Sequence, residues 1–245
     1  MNHLRIGVIY PSDGIQDREF WQFAPPHTTM HVTRVPFPEP PVNLEMLRAL
    51  VDDGDLDQAA QVLRPIKPAA IAYACTSVSF ARGHAGDRSI LDRISRGANA
   101  PATSTSSALV AACRALGVRK LALGAPYPSD TTALFERYLT EAGLEPLSIR
   151  SLGLEEGIGE LESEAIADLA SAADVPQAEA IVLACTDLKT YSVIAELERA
   201  LGKPVITANQ ATVWHACRIA GSRGTDGVGR LWRVNAIEKP FVVSE

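Results

Sequence analysis

Apolar residues arrive along this chain in short unbroken runs, and between the runs they recur at the three- and four-residue spacing of an amphipathic helix. The runs predict strands at LRIGVIY (4–10), HVTRVPF (31–37), AAIAYAC (69–75) and PATSTS (101–106). A second set follows at KLALGAP (120–126), LEPLSIRSL (144–152), AIVLAC (180–185) and PVITAN (204–209). In TTALFERYLTEAG the residues Leu134, Phe135, Tyr138 and Leu139 share one helical face, Asp130 is placed to cap its start, and Gly143 supplies the stop. TYSVIAELERALG repeats that grammar. Strand and helix in alternation predict an α/β chain of parallel sheets wrapped by helices, in which ligands sit at the carboxyl ends of the strands.

The second set of elements echoes the first. YPSD stands at 10–13 and again at 127–130, ACT at 74–76 and again at 184–186, and STSSALVAACRALG (104–117) is answered by ANQATVWHACRIAG (208–221). Shared turn chemistry explains any one echo, but three in the same order read as an internal duplication. The expected organisation is one half over residues 1–112 and a second over 113–210, with the segment 211–245 returning to the first. The two ACT turns then face each other across a pseudo-twofold cleft.

Composition narrows the partners. The 245 residues are 47% apolar, enough for one large core or two small ones, and the net charge of -6 is spread over mixed acids and bases. No basic stripe offers itself to nucleic acid or an anionic membrane, and no apolar run reaches the roughly 18 residues that cross a bilayer. A cytoplasmic setting is expected, since the first residues lack the pattern of a cleavable leader. In that reducing compartment Cys75, Cys113, Cys185 and Cys217 are expected as free thiols, none of them in a CxxC pair.

The position of each cysteine separates chemistry from packing. Cys113 and Cys217 lie inside apolar helical stretches and read as small core residues. Cys75 and Cys185 end strands, where the unpaired N–H groups of a following helix favour a thiolate and hold a carboxylate. Thr76, Ser77 and Ser79 add hydroxyl donors beside one thiol, and Thr186 and Asp187 follow the other. A small carboxylate pinned between two thiols suits proton removal on one face and delivery on the other. His27 and His31 follow two prolines, which makes a strand entry of them rather than a helical metal pair. GLEEGIG (153–159) has no Walker lysine and reads as a flap over the cleft, while GSRGTDGVG (221–229) reads as a flexible connection; neither asks for a cofactor.

The stretches CTSVSFARG (75–83), VRKLALGAPYPSD (118–130), IRSLGL (149–154), VLACTDL (182–188), ERALGKPVITANQA (198–211) and GVGRLW (227–232) resemble the aspartate/glutamate racemase superfamily. Within it they resemble the branch containing arylmalonate decarboxylase and maleate cis-trans isomerase. The resemblance implies two pseudo-symmetric flavodoxin-like halves, each a parallel sheet of about four strands flanked by helices, with the active site in the cleft between them. It implies that Thr76, Ser77, Tyr127 and the backbone at Thr186 hold a carboxylate that becomes an enediolate, and that Cys185 delivers a proton. Arylmalonate decarboxylases carry glycine where this chain has Cys75, a departure that favours two-thiol isomerase or racemase chemistry. Asp13 stands where maleate isomerases usually offer asparagine, whereas racemases have acids at the positions of Asp13 and Asp187, as proton relay or substrate contact.

The expected function is a cofactor-independent, metal-free isomerase or racemase of a small carboxylic acid, acting through Cys75 and Cys185 in the manner of maleate isomerase or of an Asp/Glu racemase. A decarboxylase that protonates its enediolate from Cys185 is the alternative enzyme, and a carboxylate-binding protein the alternative without catalysis. Homo-oligomerisation stays open, and so does the substrate, since the apolar wall comes from segments such as 38–48 and 153–159 that carry no chemical label.

Overall fold

A computed structural model describes residues 3–38, 44–52 and 54–234. Two four-stranded sheets, every pairing parallel, carry the chain. The first has the order β2-β1-β3-β4 and uses β1 (Leu4–Pro11), β2 (Thr28–Val35), β3 (Ala70–Tyr73) and β4 (Ala102–Ser104). The second, β6-β5-β7-β8, uses β5 (Lys120–Ala125), β6 (Glu145–Ser151), β7 (Ala180–Leu183) and β8 (Val205–Thr207). The two orders are the same when β1 is matched with β5, so the duplication read in the motifs is present in the topology.

Burial explains which strands are central. In β1, β3, β5 and β7 nearly every residue is buried, as expected of parallel strands covered on both faces; of the edge strands, β2 and β6 are mostly half-exposed, while the short β4 and β8 are largely buried. Gly7 and Gly124 sit at matching places in β1 and β5. A Cβ on either would meet a packed leucine or isoleucine side chain within 3.0 Å, so glycine lets a helix layer close on the sheet.

The helices are α1 (Asp17–Phe23), α2 (Leu44–Leu50), α3 (Asp55–Leu63), α4 (Thr76–Ala81), α5 (Gly83–Ala98), α6 (Thr105–Ala115), α7 (Ser129–Glu141), α8 (Ser163–Ala173), α9 (Ile194–Leu201) and α10 (Ala208–Ile219). Although α10 follows the last strand of the second sheet, it packs on α1, β3 and β4 of the first and lies along α6. These two helices contain the points, 112/113 and 210/211, at which the sequence reading divides the chain. Thr212 Oγ1 donates to Thr105 Oγ1 between them at 2.9 Å, and Cys113 and Cys217 are fully buried within them. One apolar cluster runs from Val8 and Phe20 through Leu109 to Leu123, Leu183 and Trp214, so the two sheets share a core. A smaller cluster, with Leu56, Leu63, Ile71, Ile90 and Ile94, fills the outer face of the first sheet.

Several element ends differ from expectation. PATSTS and PVITAN leave the strand early: Ser104 Oγ accepts from Ser107 N–H at 3.1 Å and starts α6 at Thr105, and α10 starts at Ala208. Asp130 does not cap α7. Pro128 occupies the cap position in extended backbone, and Asp130 lies in the first turn with its carboxylate on Thr131 N–H. β2 begins three residues before the predicted start and ends at Val35. Residues 39–43 of the segment 38–48, and 235–245 of the returning tail, lie outside the described residues.

Candidate active site

Both strand-end cysteines line one cavity of about 300 Å3, together with Asp13, Thr76, Ser77, Tyr127, Thr186 and Asp187. Ser79, the third hydroxyl named beside Cys75, does not line it: it is buried and its Oγ donates to Thr76 O at 2.8 Å. Cys113 and Cys217 are buried in the helix layer instead.

The two thiols reach the cavity differently. Cys75 is the cap residue of α4, with extended backbone, and its Sγ lies 3.8 Å from Ser77 Oγ. Cys185 sits two residues beyond β7 with φ at 92°, a conformation that costs a non-glycine residue of order 1–3 kcal/mol. The tight turn this makes brings Asp187 N–H to 3.4 Å from Cys185 Sγ. Burial raises Cys75 to about 11, opposed by Val78 N–H and Ser77 and assisted by the charge of Asp13. Burial raises Cys185 to about 12, opposed by Tyr127 and Asp187 N–H and assisted by the charges of Asp187 and Cys75. In these closed surroundings desolvation outweighs the strand-end N–H groups that favour a thiolate, and both thiols lie above the ordinary cysteine value.

The two ACT turns touch, and they are not equivalent. Thr186 Oγ1 donates to Ala74 O at 3.2 Å, joining the second turn to the first. Thr76 Oγ1 is buried with no hydrogen-bond partner, although the residue is only 1% exposed. Leaving a hydroxyl unpaired in protein costs roughly 1–3 kcal/mol, so this oxygen is a donor waiting for an acceptor in the cavity. Tyr127 is buried beside it, and burial followed by the Cys185 charge holds its phenol well above the ordinary value, so it too remains a donor. The flap is anchored here: Gly153 N–H and Ser151 Oγ both donate to Tyr127 O.

Asp187 is held by two donors on one oxygen, Ile15 N–H at 2.8 Å and Tyr10 OH at 3.1 Å, while its burial raises its pKa. Asp13 is raised as well, by burial and then by the charge of Asp187, against the opposing N–H of its own backbone and Arg34. Tyr10 also reaches Thr186 O at 3.2 Å, and sequence reading passed over it. The signal was available, because Tyr10 is the YPSD counterpart of Tyr127. Glu19 was missed for a different reason. It is buried on α1 and accepts from Tyr191 N–H at 2.6 Å, Asn209 Nδ2 at 2.9 Å and Thr190 Oγ1 at 3.1 Å, all distant in sequence. Among the described residues no group of three His, Cys, Asp or Glu side chains is arranged to hold a metal ion, and no helix is long and apolar enough to cross a membrane.

Duplicated parallel sheets with a thiol at one strand end of each, closing on a cavity of neutral donors, define an enzyme-type cleft of the Asp/Glu racemase-like fold. The chain belongs to the arylmalonate decarboxylase family, whose profile matches residues 48–232. It is 34% identical to the arylmalonate decarboxylase of Bordetella bronchiseptica over 170 residues, 67% of this chain and 71% of that one. It is 29% identical to the maleate isomerase of Geobacillus stearothermophilus over 231 residues, 86% of this chain and 90% of that one. The crystal structure of a maleate isomerase from Pseudomonas putida superposes with a TM-score of 0.86 at 25% identity, covering 96% of this chain and 99% of the other.

Proposed function

We propose that this chain is a cofactor-independent isomerase or racemase of a small carboxylic acid, with Cys75 and Cys185 as its working thiols. The observation that carries the reading is the meeting of both thiols with the unpartnered hydroxyl of Thr76 on one cavity. In racemisation one thiol first passes its proton to Asp13 or Asp187 as relay, and the thiolate so formed takes the α-proton; the electron pair of the broken C–H bond moves into the carboxylate as an enediolate, and the opposite thiol gives its proton to the other face. The enzyme ends with its thiol and thiolate exchanged, ready for the reverse reaction. In cis-trans isomerisation a thiolate adds to the alkene carbon and the opposite thiol protonates the neighbouring one. The bond, now single, rotates before proton and sulfur leave. Either path builds charge on carboxylate oxygens, where Thr76, Ser77, Tyr127 and the backbone at Thr186 serve as fixed donors. Asp13 and Asp187 act as proton relay or substrate contact. Free working thiols fit a reducing, cytoplasmic setting.

Decarboxylation is the second reading, favoured by the family match and by the relative at 34% identity. It needs a proton from Cys185 alone. A panel of maleate, free amino acids and a disubstituted malonate in heavy water distinguishes fumarate formation, α-hydrogen exchange and carbon dioxide release. The expected result is isomerisation or exchange that falls at least ~100-fold in both Cys75→Ser and Cys185→Ser. Full activity in Cys75→Gly with none in Cys185→Ser refutes the two-thiol reading and supports the decarboxylase.

A further inference from the structure

The cavity has two chemically unlike ends. Its buried end presents neutral groups: the two thiols, Tyr127 and the free Thr76 hydroxyl. Its more exposed part presents Asp13, to which the flap adds Glu155, Glu156 and Glu160, and half-buried Asp187 stands between the two, its N–H on Cys185 Sγ. Among the described residues lining the cavity there is no lysine, arginine or histidine. Arg34 is the cation that bears on Asp13 and Asp187, and it is engaged elsewhere. Its guanidinium donates to Pro11 O at 2.7 Å, Gly14 O at 2.8 Å and Asp17 Oδ2 at 2.6 Å, and lies over the Tyr10 ring at 4.8 Å.

A ligand carboxylate seated on Thr76 and Tyr127 meets donors without charge. A second carboxylate on the same ligand would project toward a mouth where every ionisable side chain is acidic. Like charges brought together in a partly desolvated cleft reject a ligand, whereas opposite charges select it. We infer that the substrate is a monocarboxylate that also carries a cationic group, of the class of the neutral amino acids, and that Asp13 and the flap carboxylates receive the cation while Thr76 and Tyr127 hold the carboxylate. The inference rests on the two-thiol reading of this cavity and adds the charge type of its substrate. Within that reading it selects racemisation of an amino acid over isomerisation of maleate, and it excludes dicarboxylates, with or without an amino group. Asp13 fits the part because it lines the cavity and its charge is disfavoured by burial and then by the nearby Asp187, a penalty that an incoming ammonium offsets.

The test is substrate protection of the full-length protein. Iodoacetamide labelling of Cys75 and Cys185 is followed by mass mapping at about pH 9 with alanine and leucine of both hands, propionate, succinate or maleate present. Alanine or leucine is expected to halve the labelling rate at a concentration at least tenfold below that of propionate, succinate or maleate. Asp13→Asn is expected to remove that tenfold preference, each probe's protection being read against the labelling rate of the same variant without ligand. Protection by maleate or succinate as strong as by the amino acids overturns the inference and leaves the two-thiol reading standing. Equal weakening of every probe by Asp13→Asn overturns it too, since Asp13 would then be serving the carboxylate end. If no probe protects, the inference falls; if in addition Cys113 or Cys217 labels first, the two-thiol reading beneath it falls as well.

Discussion

At the scale of single residues, the site turns on hydroxyls that the duplication made alike and the fold made different. Thr186 spends its hydroxyl on Ala74 O, whereas the Thr76 hydroxyl is buried outside hydrogen-bond geometry with any partner and has the Tyr127 phenol as its neighbour. Thr186→Val should therefore cost about 1 kcal/mol of stability, read by urea unfolding, because a buried carbonyl loses its donor. Thr76→Val should cost less than Thr186→Val in the same experiment while lowering turnover, since the acceptor it chiefly deprives is the ligand. Tyr127→Phe removes a second such donor, and its expected effect is a fall in kcat on the order of 100-fold with a smaller change in KM. A Tyr127→Phe enzyme as fast as the parent would remove Tyr127 from the carboxylate pocket. Cys75 and Cys185 were legible in the sequence because each ends an apolar strand beside hydroxyls. Their high pKa values were not, because desolvation depends on what closes over them.

At the scale of elements, the strands were legible because parallel central strands are written as unbroken apolar runs, and helix α7 because Leu134, Phe135, Tyr138 and Leu139 repeat at helical spacing and are all buried. The ends were less legible. β-branched and hydroxyl residues in PATSTS suit both a strand and a helix cap, and in the folded chain the cap takes Ser104. What no local pattern announces is how the turn carrying Cys185 is held. Glu19 on α1 bonds Thr190, Tyr191 and Asn209, partners 171, 172 and 190 residues away, and Asn209 Nδ2 also donates to Thr186 O at 2.8 Å. This clamp supports a turn that contains a non-glycine residue at positive φ. Glu19→Gln puts an amide donor where only donors arrive. It should destabilise the protein by about 2 kcal/mol and lower kcat even under conditions where unfolding reports it fully folded. Unchanged kcat in the folded variant would show that the turn keeps its shape without α1.

At the scale of the whole molecule, the two halves are joined by exchange, since α10 leaves the second sheet to pack on the first and the larger core crosses between them. Neither half has the buried surface to itself, so unfolding is expected as one transition. The pH dependence of that transition is set by groups at the joint. On α10, His215 accepts or donates with Thr103 Oγ1 of β4 at 2.7 Å, and burial lowers its pKa from 6.5 to about 4. The unfolded chain then binds a proton in this range that the folded one refuses, so His215 adds stability above pH 6.5 that is lost as the pH falls toward 4. Glu19 and Asp87 have the opposite sign. Burial raises both above their ordinary values, so their contribution is fullest below the unfolded pKa near 4 and declines as the pH rises through the folded value. Between pH 6.5 and 4 the parent profile is the difference of these opposing slopes. His215→Asn removes one of them: urea unfolding across that window should show a loss of stability shallower by up to about 1.4 kcal/mol per pH unit. A variant whose slope matches the parent's would mean that His215 takes its proton in the folded state as readily as in the unfolded one, and that the joint between the halves is open to water at α10.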